Sequence, residues 1–363
     1  MTDSIYRQLC ETMSRRGGMY PGMDIPEFFE LAAELFTPAE AAVINALPRG
    51  LHPAGSIAAA LGEKEELVLH LLENMADKGL LFSVQKENTT MYSSLPFVPG
   101  IFEYQFMRGT DTARDKKLAK LIKAYKAAVD KQRKPGRKDY PVYRVIPINR
   151  TIEAETRIHT YDQVRSYIET SEPLAASTCY CRHQAKLIDE NSHCGKPDDV
   201  CLQLGWGAQF VIDRGLGRKI TKQEAFDILD RSEEAGLVHC TNNRQDIDFL
   251  CNCCACHCII LQNALAYPKP GLALNSGFQP DWDKDRCTAC ETCIERCPTD
   301  ALQMGAEDVP EVDLDRCIGC AVCATGCPEE AITMLPRAEI PEPPLDRRAL
   351  KENIKKRAMA DDR

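Results

Sequence analysis

The stretch "CTACETCIERCPTDAL", residues 287 to 302, returns thirty residues later as "CIGCAVCATGCPEEAI", residues 317 to 332. Both space their cysteines C-x2-C-x2-C-x3-C, and in both a proline follows the last cysteine. Three thiols so close in sequence can wrap one centre, while the proline turns the chain away after the fourth. A zinc site needs only pairs of cysteines, so the full run, twice, with its trailing proline, asks for a different centre.

Outward from these runs, the chain holds 19 cysteines in 363 residues. The opening "MTDSIYRQLCETMSRRGG" lacks the apolar core and small-residue cleavage site of a secretory signal, so a cytoplasmic location is expected. In a reducing compartment clustered thiols point to metal or catalysis rather than disulfides. Cys10 stands alone and reads as a structural thiol. Apolar content of 44% and charged content of 27% describe a globular protein, and no run reaches the ~20 apolar residues of a membrane-crossing helix. The net charge of −9 is uneven: Asp281 to Glu330 has thirteen acids and four bases, whereas Asp111 to Lys138 has eleven bases and three acids. Such blocks can steer partners in a salt-dependent way.

The segment from about Pro280 to Leu335, roughly 15% of the chain, resembles bacterial two-cluster 4Fe-4S ferredoxins. The resemblance implies a compact pseudo-twofold fold with two cubane clusters. It assigns Cys287, Cys290, Cys293 and Cys327 to one cluster, and Cys317, Cys320, Cys323 and Cys297 to the other. Gly319 sits between ligands, where close backbone approach and amide donation favour a small residue; Ala289 takes that place in the first run at an expected small cost. The intervening "QMGAEDVPEVDLD" has no room for an inserted domain, so the clusters are expected to be close.

Upstream, residues 143 to 277 form a cysteine-rich mixed segment with ten thiols. In "CYCRHQAKLIDENSHCGKPDDVC", an extended C-x-C would put Cys179 and Cys181 on one side, and Cys194 and Cys201 would close a four-thiolate site. Arg182, His183 and Lys186 are candidates to donate to sulfur or offset its charge. In "LCNCCACHC", residues 250 to 258, Cys251, Cys253, Cys254, Cys256 and Cys258 are candidate ligands. Cys253 and Cys254 are adjacent, so their side chains should diverge. His257 is a candidate ligand, His183 and His193 candidate outer partners, and His239 a weaker one; His52, His70 and His159 read as ordinary. Two further centres, or one with ligands from both segments, of iron–sulfur or zinc, fit equally. The "LCNCC" and "CYCR" elements before a two-cluster segment resemble a group of iron–sulfur proteins of anaerobic bacteria and archaea, which implies a class and no reaction. Capping boxes predict helices at Thr160 with Gln163 and at Thr221 with Glu224, the latter ended by Gly236. "GWG" (205–207) and "GLG" (215–217) read as turns.

Nearer the start, Thr37, Pro38 and Glu40 make another capping box. A helix over "EKEELVLHLLENMADKG" is expected to present Leu67, Leu71, Leu72 and Met75 on one face and stop at Gly79. "LLFSVQ" and "TTMYSSLPF" read as a hairpin. Three helices and a hairpin resemble a winged-helix domain by element order. Its third helix is acidic (Glu63, Glu65, Glu66, Glu73, Asp77), which favours docking or dimerisation over DNA. Leu118, Leu121, Ile122, Tyr125 and Val129 stripe a basic helix, broken by "KPGRK".

The expected fold class is α+β multidomain: a winged-helix-like domain (1–108), a basic helical connector (109–142), the cysteine-rich domain (143–277), a ferredoxin-like two-cluster domain (278–336), and a proline-rich linker with a C-terminal helix (337–363). The expected function is transfer of single low-potential electrons between a donor protein and a redox enzyme. No flavin or nicotinamide motif is present, so electrons must come from a partner. An oxidoreductase with a substrate centre in the middle segment, with Cys254 as the uncoordinated reactive thiol, is the alternative. A redox-responsive winged-helix regulator is the third reading. Redox protein partners, no nucleic acid, and a homo-oligomer or larger complex complete the expectation.

Overall fold

The computed structural model describes residues 2–132, 141–148, 163–192 and 194–361. They fall into two compact units, each discontinuous in sequence: residues 1–133, 177–193 and 209–218, and residues 134–176, 194–208 and 219–363.

The first unit opens with α1 (Thr2–Arg16), α2 (Pro26–Leu35), α3 (Pro38–Ala46), β1 (His52–Pro53), α4 (Ala54–Leu61), α5 (Glu65–Asp77), β2 (Leu81–Lys86) and β3 (Thr89–Ser94). The three strands form a sheet in the order β1-β3-β2, with β2 and β3 an antiparallel hairpin. The capping box at α3 is formed: Thr37 Oγ1 accepts from the Glu40 amide, and the Glu40 carboxylate accepts from the Thr37 amide at 2.9 Å. The buried face of α5 is Val68, Leu72, Met75 and Ala76, a turn-spaced set, so Leu67 instead lies 49% exposed. Gly79 leaves the helix at φ +69, where a side chain would be strained.

Next come α6 (Phe102–Phe106) and α7 (Ala113–Gln132). The stripe on α7 packs: Leu118, Ile122, Tyr125 and Val129 are buried, and the Tyr125 ring meets Phe28, Phe97 and Phe102 at centroid distances of 6.0, 5.7 and 6.3 Å. The residues 134–138, His159, Thr160 and His193 lie outside the described residues.

The chain continues through β4 (Tyr143–Val145), α8 (Val164–Thr170), β5 (Leu174–Ser177) and α9 (Tyr180–Ile188), the last in the first unit. Gln163 is itself the N-cap residue of α8 and makes no side-chain cap, so it does not serve as the third residue of a box. Then follow β6 (Cys201–Leu204), α10 (Gly205–Asp213), β7 (Arg218–Ile220), α11 (Lys222–Glu234), β8 (Val238–Asn242), β9 (Phe249–Cys253), α12 (Ile259–Leu265) and α13 (Pro270–Ala273). "GWG" opens α10 rather than making a free turn, because Gly205 at φ +54 lets the chain leave β6 directly into a helix. "GLG" does follow the helix, with Gly215 at φ +58. Thr221 and Glu224 form their capping box on α11. Six strands form one sheet in the order β4-β8-β9-β6-β5-β7, over a core that includes Leu202, Leu204, Ile228, Leu237 and Leu250.

The last part pairs β10 (Phe278–Trp282) with β13 (Ile332–Pro336), and β11 (Leu302–Met304) with β12 (Pro310–Val312), both antiparallel. Short helices α14 (Thr292–Glu295) and α15 (Val322–Thr325) sit at matching places in the two halves, and α16 (Arg347–Asp361) ends the chain. The left-handed residues repeat at the same offset: Ala289 and Gly319, Glu291 and Ala321, Asp300 and Glu330. Ala289, at φ +53, therefore carries strain of about 1–2 kcal/mol and is less innocent than its size suggests. Arg296 joins these halves to the preceding segment, donating to Val322 O and to the carbonyls of Glu233 and Glu234 at the end of α11.

Candidate metal centres

Two hollows lie in the C-terminal halves. One is lined by Cys287, Cys290, Cys293 and Cys327, the other by Cys297, Cys317, Cys320 and Cys323. Each takes three thiols from one run and its fourth from the other. The two are matched in size, at ≈330 and ≈320 Å³. Backbone amides point at the sulfurs in the same pattern: Ala301 N–H to Cys297 and Ala331 N–H to Cys327, both at 3.3 Å. Four thiols around a hollow, with amide donors aimed at them, suit a multi-iron centre whose added negative charge needs donors.

The hollows differ in what surrounds them. At the first, Cys290 and Glu291 are exposed, Glu329 is in the lining, and Thr292 Oγ1 lies 3.5 Å from Cys290 Sγ. The Thr292 hydroxyl and backbone amide hold the Cys290 thiol below its ordinary range. At the second, Cys317, Cys320 and Cys323 are buried, and Ile318, Ala321, Leu302 and Met334 are in its wall. Burial pushes Cys317 up to about 11 and Cys320 well above its ordinary value. The Arg337 guanidinium, buried beside Cys317 O and paired with Glu339 at 2.7 Å, stands near this hollow, as does Arg316, which donates to Thr299 O at 2.8 Å. Gly319 has the expected amide bond to Cys317 and a steric reason besides. At φ +68 a Cβ there would stand 2.3 Å from Ser276 Oγ and 2.4 Å from Phe278 O, so the chain before β10 requires a glycine.

The middle thiols divide. Cys179 is the N-cap residue of α9, itself extended, and Cys181 lies in the first turn, so the helix begins between them and the pair does not share a strand. They belong to the first unit and interact with each other; their contact, with burial, holds Cys179 well above its ordinary range. Cys194 and Cys201 belong to the second unit and go to separate groups. His183 is taken by the fold: Nε2 lies 2.8 Å from Thr110 O, and its ring meets Phe106 edge-on.

One group in the second unit gathers Cys201, Cys240, Cys251, Cys253 and Cys258. Cys251 hydrogen-bonds Cys201 and Cys253, and Cys253 hydrogen-bonds Cys240 and Cys258. The strands explain the set. Cys251 and Cys253 alternate onto one face of β9, and Cys240 of β8 stands directly opposite Cys251. Asn252, on the other face, lies opposite His239; His239 Nδ1 is 2.6 Å from Asn252 Oδ1, and Asn252 Nδ2 donates to Val200 O at 2.7 Å. His239 is thus a buried clamp of the ladder. Cys253 is held well up by Cys240. Cys240, though its bond to Cys253 works the other way, is raised by burial and by Cys258, Cys251 and Cys320.

The other group is Cys194, Cys254, Cys256 and His257, whose ligand atoms all lie within 4.8 Å of one another. Cys253 and Cys254 do diverge, one to each group, and Cys254 is not a thiol set apart. Sequence reading missed Cys240 as a member, although a cysteine eleven residues before Cys251, across a strand–turn–strand, is the signal that would find it. It also missed Arg337, Thr292 and Thr299, which no spacing rule marks.

Comparison with known families matches residues 280–303 to one 4Fe-4S binding domain and residues 309–332 to another. No curated protein and no solved structure matches the chain.

Proposed function

We propose that the chain is an electron-transfer protein or subunit that passes single low-potential electrons between a donor protein and a redox enzyme. The observation that carries this is the pair of size-matched hollows, each with four cysteines exchanged between the two runs, inside the two 4Fe-4S binding domains. When bound, the clusters supply reversible one-electron chemistry at low potential. Cys287, Cys290, Cys293 and Cys327 hold one, and Cys317, Cys320, Cys323 and Cys297 the other. The exposed rim with Cys290, Glu291 and Glu329 is the face a partner reaches, and its carboxylates select a basic one. The element order from α3 to β3 supports a winged-helix-like module. Its acidic α5, where Glu73 and Asp77 are engaged by Arg214 at 2.7 and 2.9 Å, supports protein docking rather than DNA binding.

Anaerobically prepared protein should contain at least eight iron and eight acid-labile sulfide per chain and show two interacting spin centres when reduced. Four irons or fewer would end the reading.

A second reading draws on the contacting thiols. Cys251 and Cys253 hydrogen-bond each other, a place where two electrons and two protons convert a disulfide to a dithiol. Titratable thiols that rise by two on reduction of the denatured, metal-free protein favour this oxidoreductase reading; an unchanged count excludes it.

A further inference from the structure

The four atoms offered by Cys194, Cys254, Cys256 and His257 set a size limit that the two C-terminal hollows do not share. All lie within 4.8 Å of one another. A tetrahedral zinc ion with thiolates at about 2.3 Å holds its sulfurs about 3.8 Å apart, so this set needs only a small contraction to close on one ion. A cubane places four irons and four sulfides between its ligand thiolates and pushes them farther apart. In the C-terminal runs the cysteines accordingly line a hollow, whereas here the four donor atoms gather within reach of a single ion. The His257 ring nitrogen Nδ1 lies 4.0 Å from Cys254 Sγ.

The donor chemistry agrees with the geometry. Three thiolates and one imidazole make a closed, borderline-soft set, which favours zinc over oxygen-loving cations. The elements hold the donors in place. Cys254 is buried at the end of β9, and the turn 255–257 brings Cys256 and His257 back beside it. The Cys258 amide donates to Cys254 O at 3.1 Å and closes that turn. Cys194 arrives from a separate segment between α9 and β6.

We propose that Cys194, Cys254, Cys256 and His257 bind one zinc ion, a structural site distinct from the iron–sulfur centres. Its ion crosslinks the segment before β6 to the turn after β9. By fixing Cys254 on one side of that turn, it fixes Cys253 and Cys258 on the other, where they join Cys240 and Cys251. The site does not rest on the electron-transfer reading, and the test separates the two.

Metal analysis of the full chain, purified anaerobically from zinc-replete cells, should give one zinc per chain together with the iron. Zinc-edge X-ray absorption should fit three sulfurs and one nitrogen. In Cys256→Ser/His257→Ala protein, zinc should fall at least tenfold, with the reduced-state spin signals of the C-terminal clusters retained. Zinc below a tenth per chain in the wild-type protein would overturn the proposal, as would a zinc shell dominated by oxygen. Loss of four irons and four sulfides in place of zinc would also overturn it, showing an iron–sulfur centre there. Should the double variant fail to fold, the wild-type absorption spectrum decides alone.

Discussion

Glu329 and Thr299 occupy equivalent positions in the two C-terminal halves, and the difference is electrostatic. Glu329 lines the first hollow, while Thr299, with Oγ1 3.6 Å from Cys297 Sγ, lines the second. A carboxylate beside a centre that gains negative charge opposes reduction. Glu329→Gln should raise the potential of the first cluster alone, by up to about 40 mV, equivalent to about 1 kcal/mol for one electron at an exposed site. Spectroelectrochemical titration resolves the two clusters; an unmoved first potential would show that water screens this side chain fully. Gly319→Ala acts by volume instead. Its Cβ would overlap Ser276 Oγ and Phe278 O, so the second cluster should be lost or halved in iron analysis while the first survives. The eight cysteines lining these hollows were legible because thiol spacing is local. Arg337 was not, since its place beside Cys317 follows from the β10–β13 pairing, which joins residues far apart in sequence.

Elements with local signals formed where their residues said. Thr37 with Glu40 and Thr221 with Glu224 are self-contained four-residue devices, so tertiary context had little to override. Thr37→Ala should cost about 1 kcal/mol in chemical denaturation of the first unit, with no change in iron content. Helix α5 was legible as a helix but not in its orientation. Four leucines and a valine leave two overlapping apolar faces, and packing against neighbours chose the one centred on Leu72. The C-x-C at Cys179 misled for a related reason. Alternation in sequence suggests a strand, yet Tyr180, Gln184 and Leu187 make a buried helical face that carries Cys181 with it. In "LCNCCACHC" strand β9 carries Cys251 and Cys253, and the turn after it gives Cys254, Cys256 and His257 to a second group.

At the scale of the molecule, one carboxyl couples stability to pH. Burial pushes Glu103 up to about 7, against an ordinary 4.5, although the Gly100 amide donates to it at 2.7 Å. The folded chain therefore holds a proton that the unfolded chain has released between these values. Its contribution to stability declines as pH rises from about 4.5 to 7 and is level above. Glu103→Gln should flatten this decline and gain up to about 3 kcal/mol at pH 8 relative to pH 5, read from denaturation midpoints at the two values. An identical pH profile in the variant would assign the slope to other groups.

The exchange of the fourth cysteine between the two runs bears on how such a chain can mature. Cys297 is made before any thiol of its own hollow's run, and Cys327 follows every other cysteine. Neither four-thiol set is complete until the second run has left the ribosome, and the first set is finished last of all. Iron and sulfide can complete either centre only after thiols of both runs have been made. The duplicated segment is inherited, synthesised and charged as a single indivisible object.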